Sequence, residues 1–406
     1  MMRYVILLLV CLMMGAQILA GTGGIVSERL YKKLSRVHKL MDDEKYDQAL
    51  ERLKGIRLSS KRPYEQALVR QTFGYLYAAK GEYPKAIEAF EQCLVLPTLP
   101  ESATKDILYT LAQLQLSMAD YPGAIDSLQQ WFKLEKTPTP QVHALAGTVY
   151  AQTKRYTKAI EHLQKAIASA DDTREEWYRQ LLAVYYATAD YRSAARLLEQ
   201  MTRRFSERKA YWLQLSSVFR TLKDDARSLA VMELVYRRGF LNNERELTEL
   251  AGYYLYMNMP YKAGELLETA LENGSLSSTS RHWQLLSDAW ARAREMRRAM
   301  QALQQASELI QEPALFLRLA QLAAHMDEWS VTLHAVDRAL HLKGLKHPGK
   351  ANILKGMAHF NKEEYNAAKG SFERAREYAA VQDQAQEWLN YLASEMAVGT
   401  TGSVAN

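Results

Sequence analysis

His334, His341 and His347 are the densest group of candidate metal ligands in this sequence. A zinc-type ion needs imidazoles that converge, and on a helix that requires partners four residues apart. These three lie seven and six residues apart and run from a helix end into the loop LHLKGLKHPGK, so solvated side chains are expected. Two carboxylate pairs, Asp42-Asp43 and Asp171-Asp172, have the composition for general acid–base work. Both fall at predicted turns and helix starts, where a carboxylate caps backbone N–H groups. The sequence has no G-x-x-x-x-G-K-[ST], G-x-S-x-G, H-E-x-x-H or G-x-G-x-x-G pattern. No enzymatic centre, no metal and no cofactor is therefore expected.

What remains is the framework. The chain has 406 residues, 48% hydrophobic and 24% charged, with a formal net charge of +6. That composition suits a folded chain with several units' worth of core. The start, MMRYVILLLVCLMMGAQILAG, places Arg3 before an uncharged run from Tyr4 to Met14, then Gly15, Ala16, Ala20 and Gly21. This is the pattern of a secretory signal peptide over residues 1–20, with cleavage expected after Ala20. The alternative is an uncleaved inner-membrane anchor, because the 17 residues from Tyr4 to Ala20 are just long enough to span. Both place the remainder outside the cytoplasm, in the periplasm. Once the leader is removed Cys93 stands alone, so no intramolecular disulfide can form and stability must come from packing. Basic clusters at 202–209 (TRRFSERK) and 292–298 (RAREMRR) read as solvated helix faces, and no nucleic-acid partner is expected.

A phrase built on aromatic-x-x-small recurs along the whole chain. It appears at Tyr46, Tyr83, Tyr121, Tyr156 and Tyr191, and weaker copies begin near Ala226, Pro260, Met296, Trp329 and Tyr365, with spacings between 33 and 38 residues. A period in that range is the mark of stacked supersecondary units. Twelve residues before the small position lies a second small residue: Gly74, Ala112, Gly147, Ser217, Ala251, Ser287, Ala320 and Gly356, with Leu182 as the exception. Seven residues after it stand Cys93, Ala166, Ala270, Ala306, Ala339 and Ala375. Two antiparallel helices whose axes approach to about 8 Å leave room only for such side chains at the crossing. Cys93 is thereby a packing residue.

The copy containing Phe73, Gly74, Tyr77, Ala86, Phe90 and Pro97 follows W-x2-L-G-x2-Y…A-x3-F…P, with Arg70 in place of Trp. The chain therefore resembles a tetratricopeptide repeat (TPR) protein. The expected fold is all-α, a superhelical solenoid of about ten helix-turn-helix repeats over 21–397, closed by a capping helix at 383–397 and followed by a disordered tail over 398–406. Thr139-Pro140, Thr173 to Glu176, Asn243 to Glu246 and Pro313 mark helix starts.

In such an array the first helix of each unit lines a groove, and counting along it predicts Gln71, Tyr75, Tyr109, Gln113, Thr148, Gln152, Arg179, Tyr186, Gln214, Tyr256, Gln284, Arg292 and Gln321 as its lining. A carboxamide donates to and accepts from a peptide backbone at once, and Tyr offers a flat apolar face with little entropy to lose. Replacing Tyr75, Gln113, Tyr186 and Gln214 by Ala is expected to remove partner binding without altering stability. Several phrases, among them LAQLQLSMADYPGAIDSLQQWF (111–132), KAYWLQLSSVF (209–219) and LLSDAWARAREMRRAM (285–300), resemble periplasmic TPR proteins encoded beside TonB-type energy-transducing systems of Gram-negative bacteria. That resemblance implies a non-catalytic accessory scaffold of TonB-dependent uptake. Its partners would be a TonB-like protein with a Pro-rich linker, the proton-channel subunits that drive it, or a TonB-dependent receptor. The alternative is a TPR subunit of another envelope machine, in polysaccharide export or outer-membrane assembly.

Overall fold

In the computed structural model the described residues are 26–57, 62–169 and 174–402, with side chains as far as Met396. The expected leader and the Asp171-Asp172 pair lie outside them. All described regular structure is helical, and among the described residues no helix is long and apolar enough to cross a membrane. Contacts along the chain group into two compact units, Met1–Arg203 and Arg204–Asn406.

The first unit holds five helix pairs: α1 (Glu28–Asp42) with α2 (Tyr46–Lys54), α3 (Pro63–Lys80) with α4 (Tyr83–Leu94), α5 (Glu101–Ser117) with α6 (Tyr121–Leu134), α7 (Pro140–Gln152) with α8 (Tyr156–Ala168), and α9 (Glu175–Ala187) with α10 (Tyr191–Arg204). The second holds five more: α11 (Lys209–Thr221) with α12 (Asp225–Arg237), α13 (Glu244–Tyr256) with α14 (Pro260–Glu272), α15 (Ser280–Arg292) with α16 (Met296–Leu309), α17 (Pro313–Ala324) with α18 (Trp329–His341), and α19 (Pro348–Asn361) with α20 (Tyr365–Arg376). A 3-10 turn (Ala379–Val381) leads into α21 (Gln382–Gly402). This last helix covers the final pair, with Trp388 stacked on Phe372 at 5.3 Å and 7°. It runs on to Gly402, where the sequence predicts a tail from residue 398.

Local chemistry sets the helix ends. Pro140 opens α7 behind Thr139, and Pro313 opens α17, positions where the missing N–H costs nothing. At α13, Asn243 accepts from the Glu246 amide at 3.0 Å while the Glu246 carboxylate accepts from the Asn242 amide at 3.3 Å. Helix α9 begins at Glu175 with Arg174 at its cap position, and Thr173 lies outside the described residues.

Every first helix ends alike. The residue after the last turn is left-handed at Glu44, Gly81, Ala119, Lys154, Ala189, Lys223, Asn258, Arg294, Asp327 and Glu363. The next amide then reaches back five residues, as from Lys45 to Leu40 and from Asp120 to Gln115, both at 2.8 Å. This closure satisfies carbonyls that the helix end leaves unpaired. It turns the chain into the second helix within three residues, and only Gly81 among the ten has no Cβ to strain.

The small residues sit at the crossings. Ala49, Ala86, Ala124, Ala159 and Ala194 in the first unit, and Ala263, Ala299 and Ala368 in the second, are fully buried at 0% exposure. A Cβ on Gly147 would meet Leu163 Cγ at 2.5 Å, and one on Gly356 would overlap the Phe372 ring. The sixth pair corrects the predicted register. Asp224 caps α12 by accepting from the Arg227 amide at 3.1 Å, so the helix starts one residue early. Ser216 and Ser228, with Oγ atoms 2.9 Å apart, then take the crossing, and Ser217 is exposed.

Candidate functional site

The first helices carry the residues predicted to line a groove, and the two units present them separately. In the first unit Gln71 and Tyr75 lie one turn apart on α3, and Tyr109 and Gln113 one turn apart on α5. Tyr75 also packs edge-on against Phe90 at 5.1 Å, and burial pushes its phenol up to about 12. Burial likewise raises the Tyr109 phenol. These four side chains are half-buried, so the expectation that Tyr75 is free of structural duty is corrected: the ring is part of the wall between neighbouring pairs. Thr148 donates to Ala144 O at 2.9 Å and lies 3.1 Å from Gln180 Oε1. Gln152 and Arg179 are exposed, and Tyr186 is 37% exposed with its ring 6.4 Å from Tyr191.

In the second unit Gln214 and Gln284 are half-buried, the latter donating to Ser280 Oγ at 3.1 Å. Tyr256, Arg292 and Gln321 are exposed. Tyr256 joins a depression of about 700 Å³, lined with it by Ser217, Arg220, Thr221, Lys223, Asp225 and Tyr253. Three helices, α11, α12 and α13, and the turn that carries Lys223 build it. Tyr253 and Tyr256, three residues apart on α13, stack at 6.1 Å and 28°. Their hydroxyls converge on Asp225 at the start of α12: Tyr253 on Oδ1 at 3.2 Å and on the backbone oxygen at 3.1 Å, Tyr256 on Oδ2 at 3.4 Å. Burial is the main cause that raises the Tyr253 phenol, and Asp225 adds to it. Because both carboxylate oxygens are engaged by the tyrosines, Asp225 holds the platform in place. Arg220 and Lys223 stand at the rim with no ion pair to any described residue. The depression thus presents two cations beside a ring that is 71% exposed, a surface suited to an extended segment bearing carboxylates or carbonyls.

Sequence reasoning missed Arg220, Lys223, Asp225 and Tyr253. The available signal was the Tyr-x-x-Tyr spacing on α13, which puts two rings on one helix face. The histidines His334, His341 and His347 are exposed, and among the described residues no group of three or more His, Cys, Asp or Glu side chains is placed to hold a metal ion. Cys93 donates to Ala67 O at 3.1 Å, and burial pushes its thiol up to about 12, which keeps it a neutral packing group.

Sequence profiles described as tetratricopeptide repeat match residues 109–173, 183–239 and 69–96. Those segments fall on α3 and α4, on α5 to α8, and on α9 to α12. The chain carries tetratricopeptide repeats. TPR arrays are in general non-catalytic scaffolds for protein–protein contact, and this chain has their fold. Among solved structures the TPR chain is similar to a tetratricopeptide repeat protein from Parabacteroides merdae, at 12% identity over 73% of this chain and 100% of that one, TM-score 0.39. It is also similar to MamA, at 21% identity over 44% and 96%, TM-score 0.33. A third is the TPR2AB-domain:pHSP90 complex of yeast Sti1, at 16% identity over 63% and 98%, TM-score 0.30. No curated protein matches the sequence significantly.

Proposed function

We propose that this TPR chain is a non-catalytic periplasmic scaffold that holds an extended segment of a protein partner, as an accessory component of a TonB-dependent uptake system. The observation that carries the binding reading is the tyrosine platform of the second unit, fixed by Asp225 and flanked by Arg220 and Lys223. Such a platform suits a Pro-rich linker, because a polyproline helix is preformed and stacks flat against an exposed ring. The export and TonB parts rest on the leader pattern at 1–20 and on the family phrases in the sequence.

Calorimetry with a TonB-like periplasmic fragment containing its linker tests both parts. Tyr256→Ala and Arg220→Ala should each weaken binding by about 1 kcal/mol or more, roughly fivefold or greater, with helicity unchanged. Binding that persists in the double variant moves the site away from this depression. No binding by the wild-type protein sinks the TonB reading and leaves the other envelope machines to be tried by crosslinking in the native envelope. Amino-terminal sequencing of the mature protein decides the leader, with Gly21 expected first and Met1 refuting cleavage.

A further inference from the structure

We propose that His143 and His162 form a proton-operated latch in the fourth helix pair, closed while the two imidazoles share a hydrogen bond and opened when both are protonated. His143 is on α7 and His162 on α8, with their Nδ1 atoms 3.0 Å apart and ring centres at 5.2 Å. No other pair of described histidines meets in this way.

The proton count follows from the contact. In the neutral pair one ring donates from Nδ1–H and the other accepts on its Nδ1 lone pair, so the acceptor carries its own hydrogen on Nε2. A first added proton goes to the donor's vacant Nε2, and the bond survives with a charged donor. The second has one vacant nitrogen left, the accepting Nδ1 itself. Two N–H groups then face each other and the bond between α7 and α8 is gone.

The surroundings resist both steps. His143 is only 8% exposed. Phe132 of α6 covers the pair, 5.5 Å from His143 and 5.1 Å from His162, and Tyr150 lies 5.4 Å from His162. Charges of α8 act on the pair: Lys165 on both rings, Lys158 on His162, and Glu161, which opposes them but is itself paired with Lys165 at 2.6 Å. Helix α6 contributes the uncharged Phe132 ring, and α7 the second imidazole and Tyr150. Burial is the largest cause that lowers both imidazoles, and it takes His162 down to about 4. In the unfolded or opened chain each returns to near 6.5. Below that pH the open form binds protons first, so the closed pair loses stability as pH falls from about 6.5 toward 4, where His162 protonates in place. Helix α7 also carries Thr148 and Gln152 on its surface, so release of the latch alters a face available to partners.

The test is an imidazole NMR titration of the full chain from pH 8 to 4.5, together with amide exchange in α7 and α8 corrected for intrinsic rates. His38→Gln serves as the background, because His38 is also lowered by burial and would add its own acid response. Both imidazoles should titrate below 6.5, and α7–α8 opening should rise roughly tenfold or more between pH 7 and 5. His162→Phe keeps a ring in the cluster and should abolish that rise. Titration of either imidazole at 6.5 or above overturns the latch, as does an unchanged rise in His162→Phe. If that variant does not fold, the wild-type titration decides by itself.

Discussion

Ala119 and Ala189 both stand in the left-handed region, at φ 58° and 54°, each on the turn between the two helices of a pair in the first unit. Both are exposed, so replacing them removes no packing. A Cβ in this conformation crowds the following carbonyl and costs about 1–2 kcal/mol. Glycine removes that crowding but restores about 0.5–1 kcal/mol of conformational freedom to the unfolded chain. The difference predicts that Ala119→Gly and Ala189→Gly each stabilise the protein by roughly 0.5–1 kcal/mol, and that the effects add because the turns are separate. Gly81 occupies the same position at φ 77°, so Gly81→Ala should shift stability the other way by about 1 kcal/mol or more. Urea unfolding followed by circular dichroism measures all three, and hydrogen exchange at the Asp120 and Glu82 amides, which close the turns at 2.8 and 2.9 Å, localises the change. If the Ala→Gly variants are destabilised and Gly81→Ala is neutral, the turns are not left-handed and the account of how each pair closes is wrong.

Overpacking tests the crossings: Gly147→Leu and Gly356→Leu should each cost about 1–3 kcal/mol or more by thermal melting, and equally stable variants would contradict the contacts with Leu163 and Phe372. Register in the sixth pair separates two adjacent serines, since Ser216→Leu should unfold the contact with Ser228 while Ser217→Leu leaves the melting temperature within a degree or two. Tyr75→Ala should lower stability by about 2–4 kcal/mol, whereas Tyr256→Ala should leave it nearly unchanged; equal effects would refute the division between wall and platform.

The repeat is legible in the chain because close helix crossings tolerate few residue types. Ala86, Gly147 and Ala368 recur in phase wherever two axes approach, and that phase alone gives the helix pairs, their order and their partner faces. The helix starts at Pro140 and at the Asn243 cap are equally local, since each depends on residues within four positions. The left-handed turns are different: Lys154, Arg294 and Glu363 have no propensity for positive φ and accept it because the fixed crossings on either side leave three residues to reverse the chain. Tertiary structure also decided which Tyr and Gln residues are surface. Gln71 and Tyr75 are half-buried, with Tyr75 packed against the cores on both sides of α3, and no count along a single helix contains those neighbours. The meeting of Asp225 with Tyr253 and Tyr256 spans about thirty residues, and that of His143 with His162 about twenty. Both contacts lie between helices, at distances where the periodic signal specifies only that something small or apolar is required, so their chemistry appears only once the chain is folded.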